Sequence, residues 1–181
     1  RHTRCSRDWS SDVCSSDLSA RSWLGFGAIA GLVLLADQLA KTIVLGAPGL
    51  AQGVPQPILG DLVRITLAAN DGGIFGLLGS SALPLALASI VVIGVILAVQ
   101  ARHGAGDRLL TVALALLLGG ALGNLVDRIR LGWVVDFIDA GIGSLRWYTF
   151  NVADAAISIA IVLLVARSIL GARHGAHGEP A

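Results

Sequence analysis

Four blocks of apolar residues dominate the chain, at about 23–41, 82–101, 109–126 and 152–170. Each comes close to the roughly 20 residues that a helix needs to cross a bilayer. Lipid offers backbone N–H and C=O groups no partners, so segments this apolar must satisfy their hydrogen bonds internally, as helices. The composition agrees: 55% of the 181 residues are hydrophobic and only 14% are charged, against about 25% charged in an ordinary soluble domain. With a mean hydropathy of +0.78, the chain reads as an all-α membrane protein of four transmembrane helices. The net charge of +1 and the lack of any basic run give no reason to expect a nucleic-acid partner.

The segments between the blocks carry most of the polar chemistry. A short turn, 102–108, joins spans two and three, whereas the other two connections are longer. In the first of these, Val63, Arg64, Ile65, Thr66 and Leu67 alternate apolar and polar, which predicts a short strand. Pro55, Pro57 and Gly60 before it and Asn70-Asp71-Gly72-Gly73 after it read as turn punctuation. A small sheet and loop region at the membrane surface is therefore expected. Trp147 and Tyr148 precede span four at the interfacial level that such rings prefer. Four spans put both termini on one side and both long connections on the other. Beyond residue 20 the positive charges divide evenly, with Arg21, Arg102, Arg108, Arg167 and Arg173 facing Lys41, Arg64, Arg128, Arg130 and Arg146. Charge alone therefore does not orient the bundle.

Residues 1–20 are polar, rich in Ser, Asp and Arg, and lack the apolar centre of a secretory signal peptide. They read as a tail that is disordered or foreign to the native protein. The domain expectation is a tail at 1–20, a four-helix body at 21–172 and a second tail at 173–181. Cys5 and Cys14 both fall in the first tail with no metal-binding spacing, so they read as stray thiols.

The topology gathers Asp37, Asn70, Asn124, Asp127, Arg128, Asp136, Asn151 and Asp154 at one membrane face. Charged groups at membrane depth are costly and invite a functional reading. Singly, each has a plainer account. Asn124 and Asp127 share a helix face and could simply end a span in water. Asn151 and Asp154 have the spacing of an N-cap and its third helical residue. Asp136 and Asp139 read as ordinary loop acids. Gly119, Gly120 and Gly123 would serve close helix packing.

Together, these residues resemble a known pattern. Asp37-Gln38-Leu39-Ala40-Lys41 is similar to the first box of the lipoprotein signal peptidases (signal peptidase II). Asn70-Asp71-Gly72-Gly73-Ile74-Phe75 resembles that family's Asn-x-Gly-Ala-Ala-Phe box. The stretch 119–139 resembles its Gly-Gly-Ala-x-Gly-Asn-x-x-Asp-Arg box followed by Val-Val-Asp-Phe, and 150–154 its final Phe-Asn-x-Ala-Asp box. The likeness spans about 22–170. Gly73 and Ile74 depart from the usual alanines, Gly76 stands where Ser is common, and Ala69 where an aromatic ring is frequent.

The resemblance implies an intramembrane aspartyl endopeptidase of the bacterial inner membrane that uses no metal or cofactor. It would remove signal peptides from prolipoproteins, cutting before a diacylglyceryl-modified lipobox Cys whose acyl chains stay in membrane lipid. The termini would be cytoplasmic, with the site and sheet on the extracytoplasmic face. The catalytic pair falls on Asp136 and Asp154, with Asp127 as rival to Asp136. Asp37, Asn70, Gly120, Asn124, Asp127, Arg128 and Asn151 fall in substrate-binding or supporting positions. His2, His103, His174 and His177 lie on the side away from the acids. A proton-coupled transporter using intramembrane carboxylates and a non-catalytic docking factor are the alternatives; a transporter predicts acids near the bilayer midplane.

Overall fold

The computed structural model describes residues 9–72, 82–103 and 106–175. Segment 73–81, with the departures at Gly73, Ile74 and Gly76, lies outside the described residues, as do Cys5, His2 and His177. Four long helices, α1 (Trp9–Gly46), α2 (Ala82–His103), α3 (Arg108–Leu131) and α4 (Val152–Gly175), account for the four apolar blocks. Their parts long and apolar enough to span a membrane are Ala20–Gly46, Leu83–His103, Arg108–Leu131 and Val152–Leu170. α1 begins inside the polar tail and runs past Asp37 to Gly46, so Asp37 sits well within the helix rather than at its end.

α3 is the central helix, packed against α1, α2 and α4. The outer helices α1, α2 and α4 expose Leu, Ile and Val side chains, such as Leu32, Leu87 and Val162, as lipid-facing surfaces require. Asp107 caps α3 by accepting from the Leu110 N–H at 2.9 Å. Gly132, at φ 81°, ends the helix in the left-handed conformation that Gly adopts freely. Close approach is written into Gly119, Gly120 and Gly123. A Cβ on Gly119 would lie 2.6 Å from the Val33 Cβ on α1, and one on Gly120 would lie 2.6 Å from the Ala153 carbonyl on α4. At Gly123 it would meet the Asp37 carboxylate at 2.5 Å. The stripe therefore lets two neighbouring helices press onto α3 where the polar residues lie.

A four-stranded antiparallel sheet, ordered β1 (Gln56–Leu59), β2 (Val63–Asn70), β3 (Val134–Ile142) and β4 (Leu145–Arg146), caps one end of the bundle. β2 forms where the alternation of Val63 to Leu67 predicts a strand. Pro57, expected as punctuation, lies within edge strand β1, where a missing N–H is tolerated. Asp136 and Asp139 are strand residues rather than loop acids: β3 pairs with β2 in the register Ala68↔Asp136 and Arg64↔Asp139. β3 hides from a periodicity search because its first four residues, Val134 to Phe137, are all buried.

Gly120→Ala is expected to force α4 away from α3, since the obstacle is backbone. The expected loss is about 1–3 kcal/mol, the usual scale for overpacking, read by thermal unfolding in detergent.

Candidate active site

β3 and the start of α4 are tied together before any side chain is considered. The N–H groups of Phe137 and Ile138 donate to the Phe150 carbonyl at 3.1 and 2.8 Å, and the Phe150 N–H returns to Ile138 O at 3.0 Å. The β3–β4 hairpin thus folds the chain back so that Asn151 and Asp154 stand beside Asp136.

Asn151 is the N-cap of α4. Its Oδ1 accepts from the Asp154 N–H at 2.9 Å, and its own N–H points to Asp154 Oδ2 at 3.4 Å. The capping role expected from spacing is present. The buried amide does more, because its Nδ2 donates to Asp136 Oδ1 at 2.7 Å and to Asn124 Oδ1 at 3.1 Å. Asn124 Nδ2 in turn donates to Asp154 Oδ1 at 2.8 Å, and Asn70 Nδ2 to Asp136 Oδ2 at 2.9 Å. Three asparagines therefore hold two carboxylates in one connected network.

The two acids differ in environment. Asp136 is 1% exposed, whereas Asp154 is half-buried and lines a cleft of about 840 Å³. The cleft runs between the β3–β4 hairpin with Trp147 and Phe150 and the first turns of α4. Burial pushes the Asp136 carboxyl up to about 6; the Asn70 hydrogen bond opposes this, and the charge of Asp154 adds to it.

Beneath this pair lies a buried ionic cluster. Lys41 Nζ stands 2.8 Å from Asp37 Oδ2 and 2.7 Å from Asp127 Oδ2. Gln38 Nε2 donates to Asp127 Oδ1 at 3.0 Å and to the Gly123 carbonyl at 3.1 Å. Each of these acids also grips the backbone next to one of the upper pair. Asp127 Oδ2 accepts from the Val135 N–H at 3.1 Å, and Asp37 Oδ1 from the Ala153 N–H at 2.9 Å. Both oxygens of Asp127 are thus engaged away from the cleft.

All the residues singled out from sequence converge here except for the roles of two. Gly120 contributes close packing against Ala153 rather than a polar contact. Arg128 donates only to Asn124 O, at 3.4 Å, and makes no ion pair among the described residues. It nevertheless stands near enough to Asp154, Asp127 and Asp136 to feel their charges. Gln38 and Lys41 carry structural duties that residue-by-residue reading assigned to neither. Their signal was a Lys one helical turn after an Asp in an otherwise apolar span.

Asn70→Ala removes the amide donor from Asp136, so the carboxyl should hold its proton to a pH above about 6. Infrared titration of the carboxyl stretch, with Asp136→Asn as reference, reads the shift directly.

The comparisons with known proteins agree with this layout. The profile of the signal peptidase (SPase) II family matches residues 29–170. The lipoprotein signal peptidase of Syntrophus aciditrophicus is 42% identical over 141 residues, covering 75% of this chain and 86% of the relative. That of Caulobacter vibrioides is 38% identical over 161 residues, covering 86% and 92%. A bacterial membrane enzyme solved by the in meso method at 2.3 Å resolution superposes with a TM-score of 0.73 at 26% identity, covering 90% of this chain and 94% of that one. A second, at 1.9 Å resolution, gives a TM-score of 0.72 at 28% identity, covering 82% and 92%. With the profile spanning most of the chain and its boxes meeting in one network, the chain belongs to the signal peptidase II family.

Proposed function

We propose that this protein is an aspartic endopeptidase that removes signal peptides from prolipoproteins, cutting before a diacylglyceryl-modified Cys. The observation that carries the reading is the Asp136–Asn151–Asn124–Asp154 network at the edge of a largely apolar cleft. Hydrolysis without a nucleophilic side chain needs a base to take a proton from water and an acid to protonate the leaving amine. Asp154, half-buried and lining the cleft, is suited to meet water as base. Asp136, buried and proton-retaining, is suited to act as acid. Water loses its proton to Asp154 and attacks the scissile carbonyl; the proton on Asp136 passes to the amine as the C–N bond breaks. Arg128, with no carboxylate in its fork, is free to hold a substrate carbonyl. Asn70, Asn124 and Asn151 steady the two acids, while Asp37 and Asp127 hold the backbone beside them and Gly120 admits α4.

The catalytic body is 21–172, with 1–20 and 173–181 outside it. The protein lies in the bacterial inner membrane with cytoplasmic termini, its site toward the outer surface, and the acyl chains of the substrate in surrounding lipid. A transporter is disfavoured because the acids gather beside a sheet at one end of the bundle rather than at midplane.

Asp136→Asn and Asp154→Asn should each abolish cleavage of a lipidated precursor while membrane insertion persists. Asp127→Asn should keep measurable turnover per folded molecule despite losing about 3 kcal/mol of stability, the low end for breaking a buried pair, because Asp37 still faces Lys41. Loss of activity in Asp127→Asn together with survival of Asp136→Asn would reverse the assignment.

The same roles set the pH dependence. kcat/KM requires Asp154 ionised and Asp136 protonated in the free enzyme, so it should fall as pH rises through about 6. Asn70→Ala should carry that alkaline limb upward. An alkaline limb that stays put in Asn70→Ala excludes Asp136 as the acid.

A further inference from the structure

Lys41 is 2% exposed and every N–H bond of its ammonium is used. Two face Asp37 and Asp127, and the third donates to Asn124 Oδ1 at 3.1 Å. Two carboxylates already exceed what one cation needs for neutrality, so the third contact has a different consequence. The oxygen it reaches also accepts from Asn151 Nδ2, at 3.1 Å. Were the Asn124 amide turned over, its NH2 would confront an ammonium and another amide NH2, and its carbonyl would confront the Asp154 carboxylate. Both arrangements set like against like. Only the observed orientation presents Nδ2 to Asp154 Oδ1, at 2.8 Å.

We propose that Lys41 is a positioning residue of the hydrolytic site, holding the Asn124 amide so that a donor faces Asp154. This rests on reading Asp136 and Asp154 as the acid–base pair. A donor on Asp154 fixes the orientation of the carboxylate that is to take a proton from water. The charge of Lys41 also acts on Asp136 across the network, countering part of the effect of burial. The charged groups around Lys41 are Asp37 on its own helix, Asp127 and Arg128 on α3, Asp136 on β3 and Asp154 on α4. Removing one positive charge from that set raises the proton affinity of Asp136.

The test is steady-state cleavage of a diacylglyceryl-cysteine peptide in detergent micelles, by the full chain, normalised to folded protein. Lys41→Met should lower kcat about tenfold, as loss of a preorganised donor does, with KM within about twofold. The alkaline limb of its pH profile, set by Asp136, should move upward. The charge-balanced pair Lys41→Met with Asp127→Asn removes one buried charge of each sign and gives the same readout where the single variant does not fold. Lys41→Arg, which keeps charge and donors, should recover most of the rate. In an Asn124→Ala background, Lys41→Met should add little further loss. Unchanged kcat and a superimposable pH profile, or full additivity with Asn124→Ala, overturn the inference. Those results leave the acid pair intact, since that reading fails only if Asp136→Asn or Asp154→Asn still cleaves.

Discussion

The architecture depends on one ammonium shared by two carboxylates within a membrane-spanning bundle. Lys41, Asp37 and Asp127 are each almost wholly buried, and removing Lys41 strands two carboxylates that lipid and packed helices cannot solvate. The cluster does not stop at neutralising itself. Asp37 reaches across to the Ala153 N–H and Asp127 to the Val135 N–H, the residues immediately before Asp154 and Asp136. One ionic knot thereby sets the positions of two backbone segments that come from different helices and a strand. Geometry at the carboxylates is inherited from helix–helix contact rather than from the loops that carry them.

That inheritance explains the glycines. An ionic cluster this close needs α1 and α4 pressed against α3 at the same level. Gly120 and Gly123 are where a side chain would collide with Ala153 and with the Asp37 carboxylate itself. Small residues are the commonest device for close packing in membranes; here they also give a carboxylate room to lie against a helix. The packing reading of the stripe and its place in a functional motif are one fact seen at two scales.

How much of this was legible in the sequence follows from which forces leave a periodic trace. The spans are plain because lipid imposes length and apolarity together. β2 is plain because apolar and polar residues alternate from Val63 to Leu67. β3 is not, since Val134 to Phe137 are buried on both faces and Asp136 interrupts what an apolar run would signal. The site residues were visible as a set through family likeness, and Asn151 and Asp154 also through cap spacing. Lys41 closes the first box and counts among the charges of one face, but no role attaches to it, because a lysine near the end of a span ordinarily snorkels to water. Here α1 continues to Gly46 and keeps it inside. Its role depends on α3, 83 residues away along the chain, and no local pattern records such a contact.

The asymmetry of the two acids follows from the same construction. Asp136 lies on β3, an inner strand of the sheet that packs against α1 and α3, and its side chain is closed off by Asn70 and Asn151. Asp154 lies one turn into α4, where the helix wall borders the cleft. A water molecule or a peptide arriving through that cleft meets Asp154 first. In the proposed reaction the group that water reaches takes its proton, while the group screened from water gives its own to the leaving amine. Fixing the deeper acid through β3 and the shallower one through the N-terminus of α4 thus separates their access to the cleft by placement alone, without any difference in residue type.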